Sequence, residues 1–142
     1  MIPTLIAPVT IDEIKGIIFN APSSSAPGLD GYTFDFYKAT WNITGRQLCD
    51  AILSFFTTGF MPRQAKATVI TLIPKKPHAD GISDYRPISL CNIFYMIISK
   101  IIANRMKDIM PLIFHPSQTG FIKDRSISDN SILAMELLGD FS

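Results

Sequence analysis

The sequence predicts an α+β fold in which helices surround one β-hairpin, and three observations carry that prediction. Apolar residues recur at helical spacing on both sides of a block, residues 66–90, where they are instead β-branched and nearly continuous. That block is cut once, by the turn-forming loop "HADGISD". The composition, 47% apolar and 18% charged over 142 residues, is that of a chain with enough apolar surface to bury a core. Helices, one hairpin, then helices again is an α+β order. The expected organisation is a helical N-terminal region over 1–65, the hairpin over 66–90 and a second helical region over 91–142.

The first helix is announced by "PVTIDEIKGIIFNA", where Thr10 precedes Glu13 by three positions as in a capping box and Ile11, Ile14, Ile17 and Ile18 follow at helical spacing. It should stop near Asn20, ahead of Pro22. Two turn signals follow in "SSSAPGLDG", at Pro27-Gly28 and Asp30-Gly31. A short helix is expected through "TFDFYKATW" and a longer one through "TGRQLCDAILSFFTTG", with Leu48, Ile52, Phe55 and Phe56 as its buried face and Gly59 as its stop. "KATVITLIPK" is the strongest strand signal. "YRPISL" is its shorter partner, and Pro74 and Pro87 place both at sheet edges or strand ends. "CNIFYMIISKIIANRMKDIM" predicts the longest helix, with Phe94, Ile98, Ile101 and Ile102 apolar, Lys100, Asn104, Lys107 and Asp108 on the opposite face, and Pro111 ending it. "SDNSILAMELL", behind Ser126 and Asp129, predicts a last helix with an acidic first turn.

Charge is distributed unevenly around a net +1. Residues 1–60 hold three basic and five acidic side chains, residues 61–125 hold ten basic and four acidic, and residues 126–142 hold three acidic and none basic. A basic middle between acidic ends suits a polyanionic partner, although solvated surface lysines give the same pattern. Cys49 and Cys91 stand apart, and neither His78 nor His115 completes a zinc-ligand spacing, so two buried thiols in a reducing, intracellular compartment are expected. "MIPTLIAPVT" lacks the basic flank of a signal peptide. The apolar run "LCNIFYMIIS" ends at Lys100, short of the ~20 residues of a membrane span, so no membrane partner is expected.

The hairpin concentrates Lys75, Lys76 and Arg86 near one loop. Like charges facing each other across paired strands are destabilising, which leaves two readings. In one, Asp80 and Asp84 of the loop neutralise the cluster in water, as exposed ion pairs commonly do. In the other, a phosphate group sits between the cations, held by the arginine fork and the lysine point charge.

Five blocks, "SSSAPGLDGYTFDFYKATW", "LIPKK", "YRPISL", "SKIIANRM" and "SQTGFIKDRSISDN", taken in order and at this spacing, resemble the reverse transcriptase of plant LINE-type non-LTR retrotransposons over roughly residues 5–138. The resemblance implies the fingers and partial palm of a right-hand polymerase, an incomplete domain, with residues 66–90 as the fingers hairpin and 91–142 leading into the palm. It implies that Lys75 and Arg86 contact the phosphates of an incoming deoxynucleoside triphosphate, and that Gln118, Gly120, Phe121 and Arg125 lie along the template strand. Each of these also has a plainer reading: Gly120 as a turn, Phe121 as core, Arg125 as a helix flank, Lys76 as a backbone or solvent contact, and Asp30 as the shaper of its own turn. Two positions depart from the family pattern. Met96 stands near where a lysine is frequent, and Asp124 stands where glycine usually precedes the arginine.

The resemblance further implies RNA template, DNA primer and deoxynucleoside triphosphate as partners, and Mg2+ as cofactor of the parent enzyme. Nucleotidyl transfer uses two metal ions held by carboxylates, and the family's metal-binding aspartates follow the last block present here. The sequence contains no Asp-Asp pair, and Asp140 lacks the expected context. This chain alone is therefore expected to bind no metal, to have no catalytic residue and to be inactive as a polymerase. Exposed apolar area on the palm-facing side, marginal stability and self-association are expected of it as well. The alternative functions are a non-catalytic module binding nucleic acid or nucleotide, and an inert remnant of the element.

Overall fold

The computed structural model describes residues 5–115 and, beyond them, 118, 120, 122, 124–126 and 128. The chain forms two compact units, one of Pro8–Ile101 and one of Met1–Ala7 with Ile102–Ser142.

In the first unit, α1 (Ile11–Asn20) begins where the Thr10 hydroxyl accepts the Glu13 amide at 3.2 Å. A loop then leads to α2 (Phe34–Ala39), capped by the Thr33 hydroxyl on the Phe36 amide. After Thr40, α3 (Trp41–Thr58) follows almost without a break, three residues earlier than the sequence pattern suggests. It ends at Gly59, whose left-handed backbone (φ 70°) lets its amide close on the Phe55 carbonyl at 2.8 Å. Strands β1 (Thr68–Pro74) and β2 (Tyr85–Cys91) make an antiparallel ribbon, in register from Thr68 opposite Cys91 to Pro74 opposite Tyr85. With two strands among the described residues both are edges, so the missing amides of Pro74 and Pro87 interrupt no central ladder. A 3₁₀ turn (Ile82–Asp84) closes the loop between them. Helix α4 (Ile93–Lys107) starts directly after the ribbon.

The core of this unit is made almost wholly by helices. Ile14 and Ile18 of α1, Phe34 of α2, Leu48, Cys49 and Ile52 of α3, and Ile93, Ile97, Ile98 and Ile101 of α4 pack into one buried cluster. Three expected positions differ. Phe56 and Ile102 are both exposed, because α3 and α4 carry apolar residues on more than one side. Cys49 is buried as expected, and burial followed by the nearby Asp50 carboxylate pushes its thiol pKa up, whereas Cys91 is only half-buried.

In the second unit the Arg105 guanidinium donates to the backbone carbonyls of Leu5 and Ala7. Pro111 does not end a helix here; it sits in the first turn of a short one, α5 (Met110–Ile113), where its missing amide costs nothing. The helix expected after Ser128 lies outside the described residues. No helix among the described residues is long and apolar enough to cross a membrane.

Candidate functional site

The predicted site residues fall into two groups, one in each unit. Lys75 and Arg86 belong to the ribbon. Arg86 sits opposite Ile73. The Lys75 amide extends the ladder to the Asp84 carbonyl at 2.7 Å. Lys75 directly follows β1, so strand alternation does not fix the direction of its side chain. The two cations therefore stand near the loop end of a ribbon none of whose residues is fully buried.

What neutralises them differs from one to the next. The Lys76 ammonium pairs with Asp84 Oδ1 at 2.9 Å. The other carboxylate oxygen, Oδ2, accepts the backbone amides of Asp80 at 3.2 Å and Gly81 at 3.4 Å. Lys76 and then these amides hold the Asp84 carboxyl below its ordinary range. The Lys75 ammonium donates to the Ser83 carbonyl at 2.8 Å, an interaction that satisfies a donor without cancelling its charge. Among the described residues, no hydrogen bond or ion pair reaches the Arg86 side chain. The loop therefore balances one of three cations, tethers a second and leaves the third open.

Gln118, Gly120 and Arg125 belong to the second unit; Phe121 lies outside the described residues. Arg125 is the organiser of this segment. Its guanidinium donates to the carbonyls of Pro111 (2.8 Å), Phe114 (3.2 Å), His115 (2.7 Å) and Gln118 (2.8 Å). Four carbonyls at the end of a short helix and its following turn have few intrahelical partners, and one planar five-donor group serves them all. Gln118 also closes a turn, donating its amide to the His115 carbonyl at 2.9 Å. A side chain added at Gly120 would meet nothing within 4 Å, so packing gives no reason for the glycine. Asp124, at the position where the resembled family usually has glycine, takes the left-handed backbone (φ 62°) that glycine favours and that aspartate tolerates better than most residues.

One residue of the site region was not singled out by sequence reasoning. Asn92, between β2 and α4, is buried. Its Oδ1 accepts the Asp30 amide at 3.3 Å and its Nδ2 donates to the Gln64 carbonyl at 3.0 Å. Gly28 lies so close that an added Cβ would stand 2.3 Å from Asn92 Oδ1 and 2.6 Å from the Cys91 carbonyl carbon. The block "PGLDG" thus docks on the residue that joins ribbon to helix, and Asp30 shapes its own turn by accepting the Tyr32 amide at 3.1 Å. Asp30, Gln64, Asn92, Phe60 and Phe94 line an open cleft of about 450 Å³ beside this joint. Among the described residues no three His, Cys, Asp or Glu side chains cluster so as to hold a metal ion.

Residues 73–139 match the family model described as reverse transcriptase (RNA-dependent DNA polymerase). The chain is 33% identical over 131 residues to the transposon TX1 uncharacterized 149 kDa protein of Xenopus laevis, covering 92% of this chain and 10% of that protein. It is 32% identical over 107 residues to a probable RNA-directed DNA polymerase from transposon BS of Drosophila melanogaster, covering 74% of this chain and 12% of that one. It is 29% identical over 126 residues to a retrovirus-related Pol polyprotein from a type-1 retrotransposable element of Popillia japonica, covering 89% and 17%. The chain spans a tenth to about a sixth of the length of these relatives.

Proposed function

This chain carries part of a reverse transcriptase domain of the kind found in non-LTR retrotransposons, and from that premise we propose that its ribbon grips polyanionic ligands of an RNA-directed DNA polymerase. Lys75 and Arg86 bind the phosphates of the incoming deoxynucleoside triphosphate. The observation that supports this reading is Arg86, an exposed guanidinium fork in β2 with no acidic partner among the described residues, across the ribbon's loop end from the point charge of Lys75. An anion entering there removes their mutual repulsion. Gln118 and Gly120 lie along the template strand, Gly120 because neither packing nor backbone geometry accounts for it, and Arg125 acts there by holding the segment that presents them.

Reverse transcriptases use divalent metal ions. The described residues supply no donor set for one. The chain is proposed to form part of the fingers and palm entry of a right-hand polymerase. The wording of the blocks "LIPKK" and "YRPISL" supports an element of plant LINE type; the flanking genomic sequence tests that assignment.

The ribbon reading is tested by binding of a primer–template duplex over a salt series. Each phosphate contact contributes about 0.9 to the slope of log affinity against log salt on duplex DNA. The Lys75→Ala/Arg86→Ala double variant should weaken binding and flatten the slope by between one and two contacts. Equal binding of both the duplex and a deoxynucleoside triphosphate by wild type and double variant refutes the phosphate role and leaves an inert remnant as the better reading.

A further inference from the structure

The tip of the ribbon is an anion site that is already filled. The Asp84 carboxylate receives one ammonium, from Lys76 at 2.9 Å, and two backbone amides, from Asp80 and Gly81, at 3.2 and 3.4 Å. An ammonium together with converging loop amides is also the donor set that phosphate oxygens take. The carboxylate is held in place through its backbone too, because the Asp84 amide donates to the Gly81 carbonyl at 2.9 Å and its carbonyl accepts the Lys75 amide at 2.7 Å. Its side chain is 22% accessible while that of Lys76 is 58% accessible, so the acid lies inside and the base outside.

We infer that Asp84 is a built-in counter-anion, occupying the phosphate-competent site formed by Lys76 and the loop amides so that ligand phosphates are directed to Lys75 and Arg86. It acts as a positioning and specificity residue and touches no ligand itself. Three neighbouring cations without it would offer a polyanion several overlapping registers on the ribbon; with it, Lys76 is spent locally. The inference rests on the polyanion-binding role proposed above for the ribbon.

The test is binding of the full 142-residue chain to a single-stranded RNA oligonucleotide of mixed sequence over a salt series, with Asp84→Asn, Lys76→Gln, their combination and Arg86→Ala. Asparagine keeps a carbonyl oxygen for the two loop amides and releases the lysine. Asp84→Asn should tighten binding several-fold at low salt and steepen the slope by about 0.7, one phosphate contact on a single strand. Lys76→Gln should change the slope little in the wild-type background and should abolish the whole gain in the Asp84→Asn background. That non-additivity is the signature of masking, since independent charges add. Equal losses from Lys76→Gln in both backgrounds overturn the inference, as does an Asp84→Asn variant that binds no tighter. Should Asp84→Asn not fold, a one-contact loss of slope from Lys76→Gln alone refutes masking. If Arg86→Ala leaves the slope unchanged, the ribbon reading itself falls and this one with it; a lower slope in Arg86→Ala beside no gain in Asp84→Asn sinks only the masking.

Discussion

Ile52 in α3 and Ile70 in β1 are the same side chain in opposite circumstances. The first has no accessible surface and the second is 67% accessible. The difference extends to their regions: α1, α3 and α4 share one apolar cluster, while Ile70, Leu72, Ile73 and Ile88 of the ribbon all remain accessible. Stability in the first unit is thus concentrated in the helices. The ribbon is held by its own ladder and loop, and an isolated two-stranded ribbon is marginal in water. A region that contributes little to the core can carry charge at its surface without cost to that core.

The largest effect should separate the two isoleucines. Ile52→Ala should destabilise the chain by about 2–5 kcal/mol in urea denaturation, from lost burial and the cavity left behind. Ile70→Ala should fall within about 0.5 kcal/mol. A comparable cost at both positions would break the comparison. It would show the ribbon face to be covered, and a midpoint that rises with protein concentration would identify a second copy as the cover.

The joint between the regions comes next. Asn92→Ala strands the Asp30 amide and the Gln64 carbonyl, an expected loss of about 1–3 kcal/mol. Gly28→Ala forces a methyl group against Asn92 and the Cys91 backbone, with a cost of about 1–3 kcal/mol. The two act on one contact, so the double variant should cost less than the sum. Strict additivity would mean that the "PGLDG" loop and the ribbon–helix joint are independent.

Local signals were legible in the sequence because their partners are local. Thr10 caps three residues ahead, Gly59 closes on a carbonyl four residues back, and Pro74 and Pro87 restrict their own strands. Asn92 was not legible, since its two partners stand 62 and 28 residues away and nothing in "SLCNIF" marks it. Periodicity marks Phe56 and Ile102 as apolar positions but cannot choose among several apolar sides of one helix. At the candidate site, the pairing of strands around Lys75 and Arg86 could be read from β-branched runs. The loop's own geometry could not, because Asp84 was visible as a nearby acid but its choice of Lys76, and the Ser83 carbonyl's choice of Lys75, depend on how a 3₁₀ turn folds. The hydrogen bonds of Arg125 were illegible for the same reason: its four acceptors are backbone carbonyls, which every residue has.

The smallest effect concerns that loop and runs with pH. The Asp84 carboxyl, ordinarily near 3.8, is lowered in the fold by Lys76 first and by the Gly81 and Asp80 amides after it. A depressed carboxyl binds its proton less readily in the folded chain than in the unfolded one, so its contribution is fully present above the unfolded value and is lost as pH falls through the folded value. Surface pairs contribute little and are screened by salt, so the expected signature is a difference rather than a collapse. Between pH 6 and pH 5 the wild type should melt slightly above Asp84→Asn, and the gap should close as pH drops below about 4. Added salt should narrow the gap at pH 6 without closing it, because the two loop amides bond a carboxylate more strongly than the neutral amide oxygen of asparagine. A gap that persists unchanged at pH 2.5 would place the stabilisation in loop geometry that asparagine fails to copy, and the ribbon tip would then be a structural turn and not a neutralised charge cluster.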